Sequence, residues 1–137
     1  LHALLFFMKG DKRMITKNIK YEDYFGNERE DEFMFHLKKT ELLDLNAEKE
    51  GGFIKYIQSI IDSKDEGKLW TAFKEIVELS YGKRSADGLR FIKDPELTKE
   101  FEETEAFPVL ITEFIEKPGA AEAFINGIMP ADIKNQA

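Results

Sequence analysis

The residues that come nearest to a chemical motif are Gly82-Lys83-Arg84-Ser85, a glycine followed by two cations and a hydroxyl. A phosphate-binding loop needs another glycine five positions earlier, so that backbone N–H groups can curl around the phosphate. Val77 stands there, inside an apolar helical stripe, and nucleotide binding through this motif is rejected. A helix-ending glycine with cations near the negative helix end explains the same residues. The acidic run Glu28-Arg29-Glu30-Asp31-Glu32 could attract a cation, but successive strand side chains point to opposite faces and no glycine-pinned calcium loop surrounds it. It reads as a solvated hairpin face that also guards a strand edge. Glu102, Glu103 and Glu105 are available for acid–base work, yet nothing nearby in the sequence supplies a nucleophile. His36, beside Phe35, reads as a packed or surface residue rather than a ligand. Trp70 with Phe73 reads as core packing at helical spacing rather than a ligand box. No catalytic, cofactor-binding or metal-binding residue is expected.

Composition narrows the classes further. The chain has 137 residues, 42% hydrophobic and 34% charged, which fits one globular domain with a real core. It contains no cysteine, so disulfides, thiolate metal sites and cysteine nucleophiles are excluded. A formal charge of −7 opposes nonspecific attraction to phosphate, and no nucleic-acid partner is expected. No apolar run approaches the ~20 residues needed to span a bilayer, and Ala3 to Met8 lacks the flanks of a secretory signal. The product is read as soluble, unexported and without a membrane partner.

The elements follow from periodicity. Ile15, Lys17, Ile19 and Tyr21 share one parity, as do Phe33, Phe35 and Leu37, and Phe25-Gly26-Asn27 lies between them. Residues 15 to 37 therefore read as a β-hairpin with a polar outer face, which must pack on something to be stable. Thr40 is the expected N-cap of a short helix carrying Leu42, Leu43 and Leu45, ended by Gly51-Gly52. Phe53, Ile54, Tyr56, Ile57, Ile60 and Ile61 form the next helical stripe. Asp65 starts a third helix with Leu69, Trp70, Phe73, Ile76, Val77 and Tyr81, stopped by Gly82. Residues 80 to 93 read as a polar, basic loop with a turn at Asp87-Gly88. Asp94-Pro95-Glu96 restarts a helix with a capping oxygen, Pro at N1 and a carboxylate at the positive end. Apolar segments around Val109 to Ile115 and Phe124 to Ile128 are separated by Pro118-Gly119. The expected fold is α+β and mainly α-helical: an N-terminal β-hairpin packed on a compact bundle of about five helices.

Residues 1 to 13 look unlike the rest. Lys9-Gly10-Asp11-Lys12-Arg13-Met14 can be back-translated to a purine-rich ribosome-binding sequence ahead of an ATG, so they are read as an upstream extension or an expression scar. The domain is expected over residues 14 to 130, with 131 to 137 a short flexible tail. Phe107, Leu110, Ile111, Phe114, Phe124, Ile128 and Met129 are many apolar residues for two short helices. Core packing and an exposed contact patch both fit them, and the patch is the candidate partner-binding site.

Three separated blocks carry a family resemblance. They are Ile19-Lys20-Tyr21-Glu22-Asp23-Tyr24 with the acidic strand after it, Ser80-Tyr81-Gly82-Lys83 through Arg90-Phe91-Ile92-Lys93, and Phe101-Glu102 through Ala123-Phe124-Ile125-Asn126-Gly127-Ile128. In order and spacing the chain resembles the tail assembly chaperones of long-tailed, siphovirus-type phages or prophages. The resemblance implies a non-enzymatic chaperone in the bacterial host cytoplasm, absent from the mature virion. Its partner would be the long, helical, hydrophobic tape measure protein, which it would bind and solubilise while promoting tail tube assembly. Self-association would be compatible with that role. A frameshifted longer product, for which Ile133-Lys134-Asn135 permits a slippery A-AAA-AAC sequence, would contact tail tube protein. The alternative role is a structural tail completion or adaptor protein retained in the virion.

Overall fold

The computed structural model describes residues 14–129. The readings of residues 1 to 13 as an extension and of 131 to 137 as a tail lie outside the described residues. Strand alternation produces β1 (Ile15–Glu22) and β2 (Glu28–Phe35), paired antiparallel with Ile15 opposite Phe35 and Glu22 opposite Glu28. Ile19 and Phe35 are buried on the inner face, while Thr16, Asn18, Lys20, Glu28, Glu30 and Glu32 are exposed on the other. This one-sided pattern is what an antiparallel sheet covered on one face requires.

The stretch expected as a basic loop instead contains β3 (Tyr81–Arg84) and β4 (Phe91–Ile92), which extend the sheet in the order β1-β2-β3-β4. Tyr81 pairs with Phe35 and Gly82 with Met34, so the chain turns from helix directly into strand. Gly82 is therefore not a helix cap. A Cβ there would lie 2.6 Å from the Ile92 carbonyl oxygen and 2.7 Å from the Phe91 ring, so the close approach of β3 to β4 requires glycine. The turn joining them is the expected one, with Gly88 at φ +75° and the Leu89 N–H donating to Asp87 Oδ1 at 3.0 Å.

Six helices hold 57% of the described residues, against about five expected, and the α+β, mainly helical class stands. They are α1 (Lys39–Glu48), α2 (Phe53–Ser63), α3 (Glu66–Ser80), α4 (Pro95–Glu102), α5 (Ala106–Glu116) and α6 (Pro118–Ile128). Local chemistry sets most ends. Asp65 accepts from the Lys68 N–H at 3.1 Å, and Asp94 accepts from the Glu96 N–H at 2.9 Å. Thr40 is not the cap of α1: the helix begins after Lys38, whose N–H donates to Glu41 Oε1 at 2.8 Å. Gly51 and Gly52, at φ +80° and +97°, separate α1 from α2 in a conformation that other residues adopt only with strain.

The core forms where the inner sheet face meets the helices. The Phe35 ring lies 5.6 Å from Tyr81, 6.0 Å from Phe101 and 5.0 Å from Phe124, joining β2, β3, α4 and α6. Backbone bonds fix the same junction, with the Leu37 N–H donating to the Ile128 carbonyl at 3.1 Å and the His36 N–H to that of Ser80 at 2.8 Å. His36, half-buried just after β2, stands edge-on to Phe91 with ring centres 5.9 Å apart.

One ion pair clamps α1 to the far side of this junction. Lys93 Nζ lies 2.8 Å from both carboxylate oxygens of Glu41 and 2.8 Å from the Leu79 carbonyl oxygen. Burial opposes ionisation of Glu41, but the bonds from Lys93 and the Lys38 N–H outweigh it and hold the carboxyl below its ordinary 4.5. Burial also pushes Lys93 down from 10.5, which limits the net contribution of the pair. Because the unfolded chain protonates Glu41 more readily, this stabilisation is complete above pH 4.5 and is lost as pH falls through the lower folded value. Glu41→Gln is expected to lower stability by about 1–2 kcal/mol at neutral pH, with the difference from the parent shrinking below pH 4. Denaturant unfolding of both proteins across that range checks it.

Candidate protein-binding groove

The loop between β1 and β2 is held from within. Asp23 Oδ1 accepts from the N–H groups of Phe25 and Asn27, each at 2.9 Å. Asp23 N–H donates to the Asn27 carbonyl at 2.9 Å and Gly26 N–H to the Asp23 carbonyl at 3.0 Å, with Gly26 at φ +82°. A loop so fully bonded has few alternative conformations. It nevertheless holds Phe25 in solvent, 93% exposed, with Tyr24 beside it at 75%. The Tyr24 hydroxyl donates to the Glu103 carbonyl at 3.2 Å, latching the hairpin tip to the turn between α4 and α5. Desolvation of that hydroxyl and the negative charge of Glu105 push its pKa above 10.0.

Between the tip and α5 lies an open groove of about 1070 Å³. Its apolar surface comes from Tyr21, Tyr24 and Phe25 on the hairpin and Pro108 and Val109 on α5. Thr112, one turn beyond, continues the outward helical face. The rim carries Glu22, Asp23, Glu105, Glu113 and Glu116 with the ammonium of Lys117, and Arg29 Nη1 lies 3.9 Å from Asp23 Oδ2. Glu113 is anchored to β1 by Lys17, Nζ to Oε1 3.2 Å. The Tyr21 hydroxyl donates to Asp31; burial first, and then the Asp31 bond and charge, raise its pKa above 10.0. These contacts fix both walls of the groove. Apolar area, shape and negative potential are the means it offers for recognition.

The residues expected to form a contact patch are placed elsewhere. Phe107, Leu110, Ile111, Phe114, Phe124, Ile128 and Met129 are all buried, the most exposed of them at 7%. Their number is explained by the position of α5, which packs against α3, α4, α6 and β1 rather than lying on the surface. Phe114, for example, has its ring 5.6 Å from Phe73 and 4.8 Å from Phe124. Exposure of this set as a surface patch is therefore corrected: the same helix presents Pro108, Val109 and Thr112 outward instead. Tyr24 and Phe25 were missed. Two successive aromatics inside an Asp/Gly/Asn turn, where chain reversal needs no large side chain, are the sequence signal that points to them.

The remaining candidates divide between packing and surface. Phe73 is buried, whereas Trp70 is 41% exposed, its ring 6.1 Å from Phe107. Leu89 is 83% exposed at the β3–β4 turn, among the exposed cations Lys83, Arg84 and Arg90. Glu102 is raised above 4.5 by burial and then by Glu78 beside it, in a cleft of about 380 Å³. Among the described residues no group of three or more His, Asp or Glu side chains is placed to hold a metal ion. No helix among them is long and apolar enough to cross a membrane.

The latched aromatic tip and the carboxylate rim make this groove the candidate contact surface of a small α+β domain. The chain belongs to the phage tail assembly chaperone family, which it matches over residues 14–137. Comparison with curated proteins and with solved structures gives no match.

Proposed function

We propose that this chain is a non-enzymatic chaperone that binds and solubilises the tape measure protein of a tailed phage and promotes assembly of the tail tube around it. Family membership over residues 14–137 is the observation that carries this reading. The physical logic supports it. A long helical rod with apolar stripes self-associates unless those stripes are covered, and a chain with a net charge of −7 that covers them adds repulsion between coated rods. Action in the host cytoplasm, several copies per rod and release when tube subunits arrive belong to the same proposal, as does a longer frameshifted product that contacts the tube. The buried residues of α5, α6 and Met129 after them contribute by holding the platform on which contact is made.

The composition of finished particles separates this role from that of a structural tail component. A chaperone is present in lysates during assembly and absent from purified virions. Recovery of the chain in virions at a fixed stoichiometry would favour a completion or adaptor protein.

A further inference from the structure

We propose that the groove between the β1–β2 tip and α5 binds a basic amphipathic α-helix of the client, with the apolar stripe of that helix seated against Phe25, Tyr24 and Val109. The inference rests on the chaperone reading for the identity of the client, but not for the chemistry of the site. Charge complementarity selects the occupant. Five carboxylates and the Lys117 ammonium line the groove; Lys17 pairs with Glu113 and Arg29 with Asp23, and the negative potential that remains at Glu22, Glu105 and Glu116 favours a helix flanked by Lys and Arg over an acidic or neutral one. Length agrees as well. The 11 residues of α5 span about 16 Å, enough to lie beside three turns of a partner helix.

Preorganisation is the second argument. Phe25 is held 93% exposed by a loop whose Asp23 and Gly26 polar groups are bonded, and Tyr24 is tied to Glu103. A tip whose backbone is already fixed leaves only the Phe25 side chain to be ordered on binding, which lowers the entropic cost of using it as an anchor. The cations around Leu89 are the other exposed feature that could match the groove, which would place a second copy of this chain in it.

The test uses the full chain and a labelled synthetic helix with a leucine stripe flanked by lysines. Two companion peptides replace the lysines with glutamate or the leucines with glutamine. Binding of the first peptide, at least about tenfold weaker for either companion, is expected. Phe25→Ala and Val109→Ser together should weaken it about tenfold or more without changing the melting temperature. Equal binding of a companion peptide, no binding at all, or no effect of the double substitution overturns the proposal. So does concentration-dependent self-association that competes with the peptide and is relieved by Leu89→Ser. The chaperone reading fails separately: if the parent chain does not bind tape measure protein but binds the basic helix through Phe25, the groove stands and the client is wrong.

Discussion

Phe114→Asp is expected to unfold most or all of the domain at room temperature. The side chain is 2% exposed and packs against Phe73 and Phe124. Loss of the ring alone costs about 3–5 kcal/mol, and a carboxylate in its place must either be desolvated or protonate, at several kcal/mol more. A domain of this size has roughly 5–15 kcal/mol in total, so the sum removes the folded state or leaves a small remnant. Near-UV circular dichroism and amide dispersion in NMR spectra read the outcome. The same change at Phe25, which is 93% exposed, is expected to leave both signals intact. Identical chemistry with opposite results isolates burial as the cause. It also means that a charge placed at Phe114 or Ile128 cannot report on partner contact, because it reports on folding first.

Phe35→Ala is the second large effect, a loss of about 3–5 kcal/mol and roughly 10–20 °C in Tm. Phe35 is fully buried, with Tyr81, Phe101 and Phe124 around it. No neighbour collapses easily into the space left, because strand pairing fixes Tyr81 and two different helices carry the other rings. Denaturant midpoints for Phe35→Ala and Phe35→Leu give the size dependence, with the leucine variant expected to retain most of the stability.

Local rules made much of the architecture legible. Alternation at Ile15 to Tyr21 and Phe33 to Leu37 gave the hairpin, and Asp65 and Asp94-Pro95 gave two helix starts that the side-chain capping bonds reproduce. The β3–β4 pair was not legible. Its second strand has two residues, too short for a period, and Lys83, Arg84 and Arg90 look like loop chemistry. Only the close approach at Gly82, a tertiary fact, explains the glycine. The cap of α1 failed for a related reason. Glu41 reaches back to the Lys38 N–H, so its carboxylate does the work assigned to the Thr40 hydroxyl.

Of the two readings of the α5–α6 apolar residues, the core one holds and the exposed one does not. Counting apolar residues in α5 and α6 identified a dense cluster correctly but could not tell how many neighbours would cover it. Four elements pack against α5, so its apolar faces became core, and what it gives to the groove is Pro108, Val109 and Thr112 with Glu113 and Glu116 at the rim. The exposed aromatics came instead from the hairpin turn. Hydrophobic periodicity cannot find them there, because a turn has no period, whereas the mismatch between turn function and side-chain size can.

Co-expression of the full chain with the tape measure protein tests the chaperone role most directly. The expected result is that an otherwise insoluble rod becomes soluble and co-purifies with several copies of this chain. A rod that stays insoluble while the folded chain elutes alone would contradict it.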